Sequence, residues 1–201
     1  MDRARRIIPL ALRTYGIIGL IGIALIYFGH GKLTGLKQAF QINHALEIIV
    51  YGVASGLIII ILSLILARWL GFIKALEDEF ASLLGGLSLG QCLVLALTSG
   101  IAEEILFRGA LQPWLGLVAT SIIFGLAHFP VKKSLVPWTV FALLMGLLLG
   151  WLYIVTQSLW TPIITHSLIN LVNLYRISKE GISTNEVSGF PDTTLQAGEH
   201  P

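Results

Sequence analysis

Charge is scarce in this sequence. Asp, Glu, Lys and Arg make up 12% of its 201 residues, where soluble domains carry roughly 25%. Hydrophobic residues make up 55%, and the mean hydropathy is +0.83. One core cannot hide that much apolar surface from water, so the solvent this composition calls for is lipid. A net charge of +2 gives no electrostatic footprint for nucleic acid. There is one cysteine, Cys92, which excludes an intrachain disulfide and any cysteine-built metal site; in its apolar surroundings it reads as a small packing residue. No Asp lies within an apolar run, which excludes an aspartyl dyad. There is no His-Glu-x-x-His zinc motif and no Gly-x-Ser-x-Gly nucleophile elbow. Strand alternation and tandem repeats are also missing.

What is present is a series of apolar runs. A span needs about 20 such residues. The first runs from Tyr15 to Phe28, extended back toward Ile7, and no small-x-small cleavage site follows it, so it reads as an uncleaved first span. The second is Leu46–Leu66. A polar segment, Ala67–Gly86, contains the amphipathic stretch "FIKALEDEFASLL", suited to an interface. A third run, Leu87–Gln112, meets a turn at Pro113–Gly116, and the fourth is Leu117–Phe129. Val136–Val155 and Leu159–Ile177 are the fifth and sixth. The expectation is an all-α polytopic transmembrane bundle of about six spans. It divides into two N-terminal spans with an interfacial segment (1–86), a four-helix core (87–178) and a disordered polar tail (179–201). Arg3, Arg5, Arg6, Arg68, Lys74, Lys132, Lys133, Arg176 and Lys179 all fall on one side of this scheme, and only Lys32 and Lys37 on the other. The positive-inside rule then places both termini in the cytoplasm, in what reads as a bacterial plasma membrane.

Against this background a few polar residues stand out, because a charge at mid-membrane costs about 2.5–3.5 kcal/mol on insertion scales. In "AEEILFR", Glu104 and Arg108 are four apart and share a helix face, so they can pair. Glu103 lies about 100° around the helix and is left available for chemistry. Folding the third and fourth runs into a hairpin puts Glu103 and His128 roughly 15–18 Å from the turn. Turning the last hairpin near Gln157–Trp160 puts His166 roughly 9 Å and Asn170 roughly 15 Å deep. His166, Asn170 and Asn173 form one polar stripe. A Glu, two His and an Asn therefore converge. A glutamate can act as general base on water; a histidine can bind a metal or donate to an oxyanion.

The same residues carry a resemblance. "EEILFR" fits Glu-Glu-x-x-x-Arg, "FGLAH" fits Phe-x-x-x-His, and "HSLIN" fits His-x-x-x-Asn. In this order they resemble the three motifs of the CAAX protease and bacteriocin-processing (CPBP, or Abi) family of intramembrane proteases, over about Leu87–Tyr175. The resemblance implies an intramembrane endopeptidase acting on a peptide or protein substrate at the membrane. Glu103 would activate water, His128 and His166 would be site histidines, Asn170 would help hold the oxyanion, and Glu104 and Arg108 would support. His128 and His166 are also the candidate metal ligands, for zinc, and metal-free action is equally compatible with the motifs. The alternative function is a non-catalytic membrane immunity or scaffold protein that retains the polar cluster.

Overall fold

The computed structural model describes residues 2–29, 32–129 and 136–187. Lys132 and Lys133, part of the expected charge asymmetry, lie outside these residues, as does the expected tail from 188 to 201. Helices α1 (Asp2–Gly29), α2 (Leu33–Ala39), α3 (Ala45–Trp69), α4 (Gly71–Leu84) and α5 (Leu89–Glu104) follow one another. A π-helical segment, Ile105–Leu111, continues α5 and runs directly into α6 (Gln112–Ala127). The chain is completed by α7 (Val136–Thr156) and α8 (Trp160–Val187). Among the described residues there is no strand, and the all-α expectation holds.

Four described stretches are long and apolar enough to cross a membrane: Ile7–Gly29, Ala45–Trp69, Leu89–Ala127 and Val136–Thr156. The third holds two of the expected runs. It breaks at Gly116, where φ is 77° and ψ is 171°, a backbone that a side chain strains and glycine tolerates. The chain doubles back there, so that Phe124 of α6 packs edge-on against Phe107, with centroids 4.9 Å apart. Helix α8 is as long as α1 but carries the stripe of His166, Asn170 and Asn173, which lowers its hydropathy. It also runs to Val187, past Lys179, where the sequence reading starts a polar tail.

Local chemistry explains the element boundaries near the site. Ser88 caps α5: its hydroxyl accepts from the Gln91 N–H at 3.2 Å, and the Gln91 side chain accepts from the Ser88 N–H at 2.8 Å, a capping box. Outward faces are apolar, as Leu20, Ile58 and Leu144 show, while Glu104, Arg108 and Thr165 are buried. This inside-out distribution suits a lipid solvent. Helix α1 lies along α5 and the π-helical segment through Gly19, Gly22 and Ile26. A Cβ on Gly22 would stand 2.9 Å from the Leu106 backbone, so only glycine permits this approach. Cys92 is a fully buried, unbridged thiol packed with Leu87 and Leu95.

Candidate active site

The last turn of α5 and the π-helical segment present Glu103, Glu104 and Arg108 to the interior, all more than nine-tenths buried. The Arg108 guanidinium donates to Glu104 Oε1 at 3.0 Å and to the Gly146 carbonyl of α7 at 3.2 Å. Its Cζ lies 4.4 Å from the centre of the Phe124 ring. The cation is thus held by a carboxylate, a carbonyl and an aromatic face. Gln112, one turn farther on, donates to the Gly150 carbonyl at 2.9 Å. Gly146 and Gly150 form a small-x-x-x-small pair that lets α7 come close enough for both bonds. In the π-helical segment the Gln112 N–H reaches back five residues to the Phe107 carbonyl. Such wide turns frequently accompany functional sites.

Histidines from two other helices complete the cluster. His128, half-buried at the end of α6, directs Nδ1 to the Phe124 carbonyl at 2.8 Å. A carbonyl only accepts, so Nδ1 carries a proton, and Nε2 is the nitrogen turned to the interior. That Nε2 stands 3.7 Å from Glu103 Oε2. His166 of α8 directs Nδ1 to Glu104 Oε1 at 2.7 Å, and its Nε2 stands 3.9 Å from the same Glu103 oxygen. Both histidines therefore turn Nε2 toward Glu103. Glu103 Oε2 is buried and has no hydrogen-bond partner among protein groups. The site has one carboxylate oxygen and two imidazole nitrogens facing a common point, a geometry that suits a polarised water.

Three placements sharpen the sequence reading. Glu104 pairs with Arg108 but also takes the shortest contact in the cluster, to His166, so it orients a ring as well as balancing a charge. The Asn170 amide donates to Ser99 Oγ at 3.0 Å, and these two residues lie one turn from His166 along α8 and one turn from Glu103 along α5. Ser99 is buried and donates to the Ala96 carbonyl; a lone serine in an apolar helix carries no signal in the sequence. On the α1 side, Tyr15 lies within electrostatic reach of Glu103.

Zinc would set the spacing of its donor atoms. With bonds of 2.0–2.1 Å, tetrahedral ligand atoms lie about 3.3 Å apart, and the Glu103–histidine separations exceed this. Among the described residues no three His, Cys, Asp or Glu form a metal-holding group. The residues as arranged do not fit the metal.

The model of the type II CAAX prenyl endopeptidase Rce1-like proteins matches residues 85–172, a stretch that contains every residue of this cluster. An uncharacterized protein of Bacillus subtilis (strain 168), YpbD, is 32% identical over 147 residues, which is 68% of this chain and 72% of that protein. No solved structure matches the chain.

Proposed function

The chain belongs to the Rce1-like CAAX prenyl endopeptidase family, and on that premise we propose that it is an intramembrane endopeptidase using a water activated by Glu103. The observation that carries the reading is the buried, unpartnered Glu103 Oε2 faced by His128 Nε2 and His166 Nε2. A water bridging these atoms donates one hydrogen to the carboxylate and the other to an imidazole. As the water oxygen adds to a peptide carbonyl carbon, Glu103 takes its proton. The Asn170 amide has two N–H groups and gives one to Ser99; the second supplies a donor for the oxyanion. Collapse of the tetrahedral intermediate breaks the C–N bond, and Glu103 returns the proton to the leaving amine. Glu104 acts through His166 by holding its Nδ1–H, and Arg108 acts through Glu104.

The substrate is a peptide or protein segment that reaches the bundle from the bilayer or its surface. The test is cleavage of a peptide library by purified protein in lipid nanodiscs. Glu103→Ala is expected to lower cleavage at least 100-fold, the lower end for loss of a general base, with an unchanged unfolding profile. Cleavage at the parental rate would remove Glu103 from the chemistry and favour a non-catalytic scaffold.

A further inference from the structure

Helices α5 and α8 run antiparallel, and their facing residues form two rungs one helical turn apart. One rung is Glu103 with His166, whose Nε2 stands 3.9 Å from Glu103 Oε2. The other is Ser99 with Asn170, whose amide nitrogen donates to the serine hydroxyl oxygen at 3.0 Å. Between the rungs the helices touch closely. A Cβ on Gly100 would overlap the Ser167 side chain and stand 3.2 Å from the Ser167 backbone nitrogen. A side chain there would spread the helices and open both rungs.

Ser99 is 4% exposed. A hydroxyl buried in an apolar helix has an ordinary way to be satisfied, which is to bond back to its own helix. Ser99 does this, giving its hydrogen to the Ala96 carbonyl at 3.2 Å. That bond needs no partner on α8, yet it constrains the one that is there. A hydroxyl has one hydrogen, so with that hydrogen spent Ser99 Oγ can only accept from α8. The half-buried Asn170 side chain has an oxygen end and a nitrogen end of nearly equal size. An oxygen set against Ser99 Oγ would be repelled, so the nitrogen is the end that meets it. That end carries two N–H groups, and Ser99 uses one.

We propose that Ser99 is a positioning residue for the peptidase reaction: it acts through Asn170, by fixing which end of the amide faces α5 and so keeping the second N–H for the oxyanion. This role rests on the peptidase reading above. Ser99 touches no reacting atom. Its effect is on the orientation of a donor whose partner charge develops only in the transition state, so it belongs to kcat and not to KM.

The experiment uses the full chain in lipid nanodiscs and a peptide that it cleaves from the library. Asn170→Ala is expected to lower kcat about 100-fold, as for loss of one oxyanion donor. Ser99→Ala keeps the amide but frees it to turn, and is expected to lower kcat about tenfold. Its KM is expected to stay within about twofold. The double variant is expected to match Asn170→Ala, because a residue that acts only through Asn170 then has nothing left to act on. A serine that merely packed α5 on α8 would multiply the two losses instead. Alanine is a good helix former, and the unfolding midpoint of Ser99→Ala checks its fold. A second readout needs no catalysis. With isotope-labelled asparagine, the side-chain amide signals of Asn170 are identified in NMR spectra by their loss in Asn170→Ala. Their hydrogen exchange is expected to quicken about tenfold in Ser99→Ala, the change for loss of one hydrogen bond. Absence of any cleavage, or parental cleavage in Glu103→Ala, would overturn the peptidase reading and this role with it. Where cleavage depends on Glu103, the role of Ser99 alone is overturned by a parental kcat in Ser99→Ala or Asn170→Ala, by a loss carried in KM, by multiplied losses in the double variant, or by unchanged amide exchange.

Discussion

Glu103 and Glu104 are adjacent in the chain and have different company in space. Glu104 is saturated on Oε1 by Arg108 and His166, whereas Glu103 faces two imidazole nitrogens across longer gaps. The Glu104–Arg108 pairing is legible from spacing alone, since residues four apart meet on any helix. The His166 contact is not, because it depends on the register of α5 against α8. A buried ion pair that loses one member leaves an uncompensated charge. Arg108→Met is therefore expected to cost about 3–5 kcal/mol, measured by denaturant unfolding in detergent. Adding Glu104→Gln keeps an acceptor for His166 and removes the charge, so the double variant should recover about half of that loss. A double variant no more stable than Arg108→Met would show that the charge of Glu104 is compensated elsewhere.

At the scale of elements, the π-helical segment Ile105–Leu111 is the part that sequence reading takes for ordinary α-helix. Its residues, "ILFRGAL", have no propensity that marks a wide turn. What holds it there is tertiary: Gly22 of α1 against the Leu106 backbone, and the bonds of Arg108 and Gln112 to α7. Gly22→Leu would push a side chain into backbone that cannot yield, and overpacking of this kind costs about 1–3 kcal/mol. A lower unfolding temperature together with reduced peptide cleavage is expected. Gly16→Leu, on the same helix with nothing within 4 Å of a new Cβ, should change stability by less than about 0.5 kcal/mol. Equal effects of the two substitutions would show that α1 does not position the segment. The hairpin at Gly116, by contrast, is readable in advance, because Pro113 and Gly116 punctuate an apolar run.

For the whole molecule, the question is which end faces which compartment. The loop between α1 and α3 carries Lys32 and Lys37, and α4 follows the opposite end of α3. The positive-inside rule leads us to propose that the α4 side is cytoplasmic. Cys92 is fully buried and should stay silent toward a membrane-impermeant maleimide, so single cysteines can be added to the natural chain. Lys37→Cys and Asp78→Cys, both at exposed positions, are expected to label in opposite ways on intact cells: Lys37→Cys at once, Asp78→Cys only after permeabilisation. The reverse pattern would invert the topology.

Composition and period were enough to establish a lipid-dissolved helical bundle, its reversal at Gly116 and the short list of polar residues with no business in lipid. These follow from costs paid residue by residue: burying charge, satisfying backbone, breaking a helix. Which of those residues touch depended on how the helices slide and rotate against each other, and small residues at their crossings set that. The register of α8 on α5 brings His166 to Glu104 and Asn170 to Ser99. The wide turn after Glu104 carries Arg108 and Gln112 to the carbonyls of α7.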